Sequence, residues 1–185
     1  GQWIGLDRPA PGDSETQWSR LAARYLRKEF ALTKEVKRAT VHIAGMGLYE
    51  LFINGQRIGE QVLAPAPTDY RKTILYNTYD VTPQLQKENA IGVILGNGRF
   101  YTMRQNYKPY KIPTFGYPKL RLNLIVEYTD GSRQTIASDI SWKLTTEGPI
   151  RSNNEYDGEE YDARKELGDW NRAGYDDTNW IPAGR

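Results

Sequence analysis

Apolar residues recur at every second position in several stretches of this chain. The clearest is Lys119 to Tyr128, where Leu120, Leu122, Leu124 and Val126 fall on one side and Arg121, Asn123 and Glu127 on the other. That alternation is the pattern of a strand with one buried face. Arg24 to Leu32, Ala39 to Ala44 and Leu48 to Ile53 alternate likewise, and Ala90 to Leu95 is a short apolar run of strand length. Asn54-Gly55 lies between two such runs; this pair tolerates the positive φ angles of a type I′ turn and predicts a hairpin. Asp130-Gly131 predicts a second hairpin turn, leading into Gln134 to Ala137. Helical periodicity is scarce. Glu15 to Ala23 predicts a turn or two of helix, and Thr82 is expected to cap a short helix with Pro83 in its first position, where a missing N–H costs nothing. Tyr49 to Tyr101 thus reads strand, turn, strand, loop, strand, helical turn, strand. Short strands punctuated by Gly and Pro predict an all-β fold, an antiparallel two-layer β-sandwich or jelly roll.

The expected organisation is a lead-in segment over 1–23 and a β-sandwich domain over 24–185 whose C-terminal part is irregular. A chain of 185 residues suits one domain, burying roughly 70% of its unfolded surface and needing no covalent staple. In the C-terminal part, Trp170, Tyr175 and Trp180 read as aromatic pegs holding an otherwise irregular run across the sandwich. Net charge is +2, but unevenly spread: Glu147 to Arg185 holds ten acidic and five basic residues, a local −5 against +7 for the rest. The acidic tail is expected to form solvated surface and to dock on the basic body. Basic residues stand singly between apolar ones, so no nucleic-acid partner is expected. Apolar runs fall far short of the ~20 residues that span a bilayer, and no membrane partner is expected.

Candidate chemistry is narrowed by what the chain lacks. With no Cys and one His, thiolate metal sites, disulfides and a cysteine nucleophile are excluded, and His42 reads as structural, between Val41 and Ile43. No G-x-S-x-G elbow exposes a serine. Gly96-Asn97-Gly98 lacks the remainder of any phosphate-loop motif and reads as a turn that places Arg99, Phe100 and Tyr101 at the sandwich rim. Glu155, Asp157, Glu159, Glu160 and Asp162 supply carboxylates, but spacing in sequence does not make an opposed catalytic pair, and the run does not fit an EF-hand. Sugar binding remains. Four Phe, five Trp and 13 Tyr offer faces for sugar C–H surfaces, while amide, guanidinium and carboxylate groups can bridge hydroxyls. Tyr101 to Tyr117 is a long aromatic and polar stretch without periodicity, of the kind that carries function. Asp69, Tyr70, Arg99, Asn106, Tyr107 and Tyr110 are the candidate sugar contacts.

Five segments, in order, also carry a family likeness: ARYLRKEF from Ala23, GLYELFINGQRIG from Gly47, TDYRKTILYNTYDVT from Thr68, AIGVILGNGRFY from Ala90 and GPIRSNNEYDGEEYDAR from Gly148. Together they resemble the N-terminal, non-catalytic β-domain of bacterial α-L-rhamnosidases of glycoside hydrolase family 78. The resemblance covers about Arg24 to Trp180 and implies a galactose-binding-like sandwich. It further implies that catalysis belongs to a separate helical α/α barrel, so this chain is expected to be no enzyme itself and to require no cofactor. Some relatives hold rhamnose through calcium, which leaves calcium open here with Asp69 as the candidate ligand. Expected partners are the catalytic and other β-domains of a parent chain and a rhamnose-containing glycan. The resemblance points to the periplasm or the exterior, and nothing in the residues speaks against the cytoplasm. Two roles follow from it: assisting recognition of rhamnose-containing glycans, or serving as a spacer packed on the barrel without binding sugar.

Overall fold

The computed structural model describes residues 1–13, 21–102 and 114–184. Thirteen strands form among these residues, all paired antiparallel: β1 Ile4–Gly5, β2 Arg24–Ala31, β3 Val36–Met46, β4 Leu48–Ile53, β5 Gln56–Ile58, β6 Asn77–Asp80, β7 Glu88–Gly96, β8 Lys119–Tyr128, β9 Arg133–Ala137, β10 Lys143–Thr145, β11 Ile150–Asn154, β12 Gly158–Tyr161 and β13 Ile181–Pro182. One sheet runs β1-β8-β3-β6, with β9 also pairing β8; the second runs β13-β10-β2-β7-β4-β5; β11 and β12 make a separate ribbon. The predicted antiparallel sandwich is the fold observed.

Its core is the sum of the alternations. Leu120, Leu122, Leu124 and Val126 are fully buried, as are Val41 and Ile43 on the neighbouring strand. They join Leu26, Leu51, Ile53, Ile91, Val93 and Leu95 of the second sheet in a single cluster. Each such side chain contributes about 1.5–3 kcal/mol by leaving water, which is what holds the two layers face to face.

The turns follow their residues. Asn54 at φ 52° and Gly55 at φ 81° join β4 to β5, the pair of left-handed conformations that a type I′ hairpin needs. Asn54 adds a second role. Its Nδ2 donates to Gln84 O and Asn89 Oδ1, at 2.9 and 2.8 Å, and its Oδ1 accepts from Ala90 N at 2.9 Å. Between β8 and β9 the Tyr128 carbonyl accepts from Gly131 N at 3.0 Å, and Gly131 takes φ 83°, a type I turn closed by a left-handed glycine.

One expectation about helices changes, and the other falls mostly outside the described residues. The short helix is a 3₁₀ turn over Thr82–Gln84 with Pro83 inside it, but Thr82 is not its cap. The cap position is Val81, and Asp80 Oδ1 accepts from Thr82 N at 3.0 Å and from Thr82 Oγ1 at 2.6 Å. Thr82 is thereby free to accept from Ala39 N at 2.8 Å, tying the turn to β3. The helix expected over Glu15 to Ala23 falls outside the described residues up to position 20, and Leu21 to Ala23 lead into β2 without helix.

The C-terminal run lies on the outer face of the second sheet as expected. Trp170 meets Tyr25 edge-on at 5.1 Å and Phe52 at 5.9 Å, and stacks on Trp180 at 6.2 Å. Buried Arg27 of β2 fastens it, paired with Glu29 and Asp177 and donating to two tail carbonyls. A second buried arginine, Arg24, has no carboxylate partner among the described residues. It donates to the carbonyls of Ala22 and Arg8, at 2.5 and 2.6 Å, and burial brings its pKa down to about 10.

Candidate functional site

A cleft of about 670 Å³ opens on the same outer face, beyond the tryptophan-pinned tail. Its floor comes from β4 and β7, where Leu48 pairs with Gly96 and Glu50 with Ile94. Residues of these strands alternate, so that Tyr49, Leu51, Val93 and Leu95 go to the core, while Leu48, Glu50, Ile94 and Gly96 line the cleft. One wall is the β11–β12 ribbon, through Asn153, Asn154, Glu155 and Glu159. The other is the loop carrying Val62, Leu63, Pro67 and Tyr70, together with Gly98 and Arg99.

Asn97 joins wall to floor. Its N–H donates to Asn153 Oδ1 at 2.7 Å and its Nδ2 to the Asn153 carbonyl at 2.6 Å, while its buried Oδ1 has no partner among the described residues. Gly96 is where the ribbon comes closest, since a Cβ there would lie 2.9 Å from Asn153 Oδ1. Across the top, Arg99 Nε stands 3.0 Å from Glu155 Oε1, linking the loop after β7 to the ribbon. Tyr70 is braced by Phe100 and Phe115, edge-on at 5.3 and 5.4 Å, with those two rings stacked on each other. Burial pushes the Tyr70 phenol up.

The expected contacts are thus divided. Tyr70 and Arg99 share the cleft. Asp69, next in chain to Tyr70, does not line it; its carboxylate grips Arg71, with Nε at 3.0 Å, and that bond holds its pKa below the ordinary carboxylate range. Asn106, Tyr107 and Tyr110 lie outside the described residues. The Gly96-Asn97-Gly98 turn leaves Arg99 exposed, whereas Phe100 and Tyr101 turn inward and are buried. Glu50, Leu48, Val62, Leu63 and Asn153 enter the site without having been singled out. Leu63 carries a signal of its own, a φ of 63° at a side chain 70% exposed, an unfavourable backbone for a bulky residue. His42 lies on the other sheet, its Nδ1 2.8 Å from Thr78 Oγ1.

Calcium fits the described donors poorly. No three His, Cys, Asp or Glu side chains converge among the described residues, and Asp69 is committed to Arg71. Nor does the ribbon's acidic run assemble as an isolated carboxylate pair: Glu155 is tied to Arg99, and Asp162 to Arg164 at 2.8 Å. What the cleft offers is an apolar floor, one braced aromatic ring and a fringe of polar groups, which is the make-up of a small-ligand site. No helix among the described residues is long and apolar enough to cross a membrane.

Known proteins show the same domain. Residues 34–185 match the model of the α-L-rhamnosidase N-terminal domain family. An α-L-rhamnosidase of Formosa agariphila is 46% identical over 164 residues, taking in 86% of this chain and 17% of the relative. The solved α-L-rhamnosidase from Dictyoglumus thermophilum aligns with a TM-score of 0.84 and 43% identity, over 98% of this chain and 20% of that one. That of Streptomyces avermitilis, solved with L-rhamnose, aligns at 0.81 and 39%, over 88% of this chain and 16% of that one. The chain therefore spans about a fifth or less of the length of these relatives. With a family match over most of its length and the same sandwich in its relatives, the chain belongs to the α-L-rhamnosidase N-terminal domain family.

Proposed function

We propose that this chain is a non-catalytic accessory domain of an α-L-rhamnosidase, a glycoside hydrolase whose catalytic domain lies elsewhere in a longer parent chain, and that it assists recognition of rhamnose-containing glycans. The observation that carries the reading is the cleft itself, where Tyr70 and the Arg99–Glu155 pair stand over an apolar floor of Leu48 and Ile94. A 6-deoxy sugar presents a methyl group and C–H faces beside vicinal hydroxyls. Apolar floor and ring suit the former, and the carboxylate and guanidinium edges suit the latter. The family's enzymes act on rhamnosides by name, which supplies the sugar class. A periplasmic or extracellular location would place the domain where such glycans are met.

Titration of the 185-residue chain with L-rhamnose, followed by calorimetry and by amide chemical shifts, tests this. Saturable shifts at Leu48 to Glu50 and Asn153 to Glu159, lost in Tyr70→Ala and Arg99→Ala, are expected. Parallel titrations with calcium and with EDTA decide whether a metal takes part. No heat and no shifts at millimolar sugar would sink the sugar reading.

The second reading, a spacer packed on the rest of the parent, draws on Val62 and Leu63. They are 77% and 70% exposed at the mouth of the cleft, and apolar side chains left in water at one place mark an interaction surface.

A further inference from the structure

The charge balance of the cleft bears on which sugars it can hold. Among the described residues, three carboxylates, Glu50, Glu155 and Glu159, line it against one cation, Arg99. Arg99 is already engaged, with Nε 3.0 Å from Glu155 Oε1 and Nη1 donating to the Tyr156 hydroxyl at 3.4 Å. Glu50 is met only loosely, by Arg57 at 3.5 Å, and Glu159 pairs with no cation among the described residues. The two amides are spent on the fold. Asn153 Oδ1 accepts from Asn97 N at 2.7 Å and its Nδ2 donates to Leu21 O at 3.4 Å. Asn154 Oδ1 accepts from the N–H groups of Tyr156 and Asp157, at 2.9 and 2.8 Å, and its Nδ2 donates to Asp157 Oδ2 at 3.0 Å.

The groups left to meet a ligand are mainly carboxylate oxygens, which accept hydrogen bonds and do not donate them when ionised. A ligand must then bring donors and no negative charge of its own. Sugar hydroxyls meet that demand. A sulfate ester or a uronate would set an acceptor-only anion against carboxylates, and like charges repel.

Resting on the sugar-binding reading above, we propose that the cleft selects uncharged, hydroxyl-bearing glycan residues and rejects sulfated or uronate-substituted ones. Glu159 is the residue that enforces the rejection, and Glu155 acts with it by withholding Arg99 from anions.

The test compares methyl α-L-rhamnopyranoside with its 3-O-sulfate on the 185-residue chain at low ionic strength, by amide chemical shifts. The neutral glycoside is expected to bind at least about tenfold more tightly than the sulfate, and added salt should narrow the gap. Glu159→Gln should shrink the ratio of the two affinities severalfold. Glu155→Ala, which frees the Arg99 guanidinium, should shrink it further or invert it. Equal binding of both probes, or a ratio untouched by either substitution, would overturn the proposal and leave the sugar-binding reading standing. Binding of the sulfate alone would also overturn it. Silence from both probes would remove the sugar-binding reading and this proposal with it.

Discussion

Arg27 Nε donates to the carbonyl oxygen of Trp170 at 2.9 Å, joining the second strand to the C-terminal run across 143 positions of sequence. The same guanidinium donates to Arg172 O at 2.9 Å, pairs with Asp177 and Glu29, and lies 5.4 Å from the centre of the Tyr175 ring. One planar fork, 1% exposed, thereby serves as the bolt of the tail.

Arg27→Ala is therefore expected to cost about 3 kcal/mol, the low end for breaking a buried ion pair, because Glu29 is 40% exposed and its share is screened. Urea unfolding measures the loss. Tryptophan fluorescence should report the tail loosening before the sandwich melts, since Trp170 and Trp180 belong to the tail and pack against the sheet beside Tyr25. Arg27→Lys should not restore stability, as an ammonium lacks the fork that reaches two carbonyls and two carboxylates at once.

Gly92 presents the complementary case. A Cβ at this position would lie 2.8 Å from Trp170 Cζ3 and 2.7 Å from Asn171 Cβ. Gly92→Ala is expected to destabilise by about 1–3 kcal/mol through overpacking, with the near-ultraviolet signal of the tryptophans changing more than the backbone signal. An unaltered tryptophan signal would contradict the packing described.

At the β4–β5 turn, two substitutions separate backbone from side chain. Asn54→Gly keeps the left-handed conformation but loses the hydrogen bonds to Gln84, Asn89 and Ala90. Asn54→Ala loses both. The glycine variant should fall by about 1–3 kcal/mol for polar groups left unpaired, and the alanine variant by about 1 kcal/mol more for the strain of φ > 0. Chemical denaturation of the pair reads the difference.

Acid should weaken the fold over a defined range. Side-chain hydrogen bonds from Ser141 to Asp139 and from Lys165 to Glu147 lower both pKa values, and Arg164 brings Asp162 down to about 2. Groups depressed in the folded state contribute stability that is complete above their ordinary value, near 4, and is lost as pH falls through the folded value. The melting temperature should be flat above about pH 5 and decline toward pH 2, with Asp139→Asn removing part of that decline. At the alkaline end, burial raises the Tyr25 phenol to about 12. Its contribution should be lost as pH rises from about 10.

The layers of the sandwich were legible because each is written locally. Leu120 to Val126 alternate within one strand, and Asn54-Gly55 names its turn type by chemistry that needs no tertiary partner. Thr82 is not the cap because the turn starts one residue earlier, with Val81 in the cap position, and the Thr82 hydroxyl instead links Asp80 to the Ala39 amide of a distant strand, a partner no local pattern names. Among the described residues, the sugar contacts expected from the sequence meet the cleft at Tyr70 and Arg99. Glu50 and Leu48 look like ordinary solvent-facing strand positions, and they become a floor only when the ribbon of Asn153 and Glu159 folds over them. No local pattern announces that closure, since it rests on the Asn97–Asn153 bonds between segments far apart in the chain.

Gly5 and Gly184 exchange both backbone hydrogen bonds, at 2.9 and 2.8 Å, beside the pairing of β1 with β8. The first strand and the residues after the last therefore meet at nearly one point on the sandwich. The same closeness makes circular permutation, joining those two ends and opening a surface turn such as the one at Gly131, a change that leaves every sheet intact.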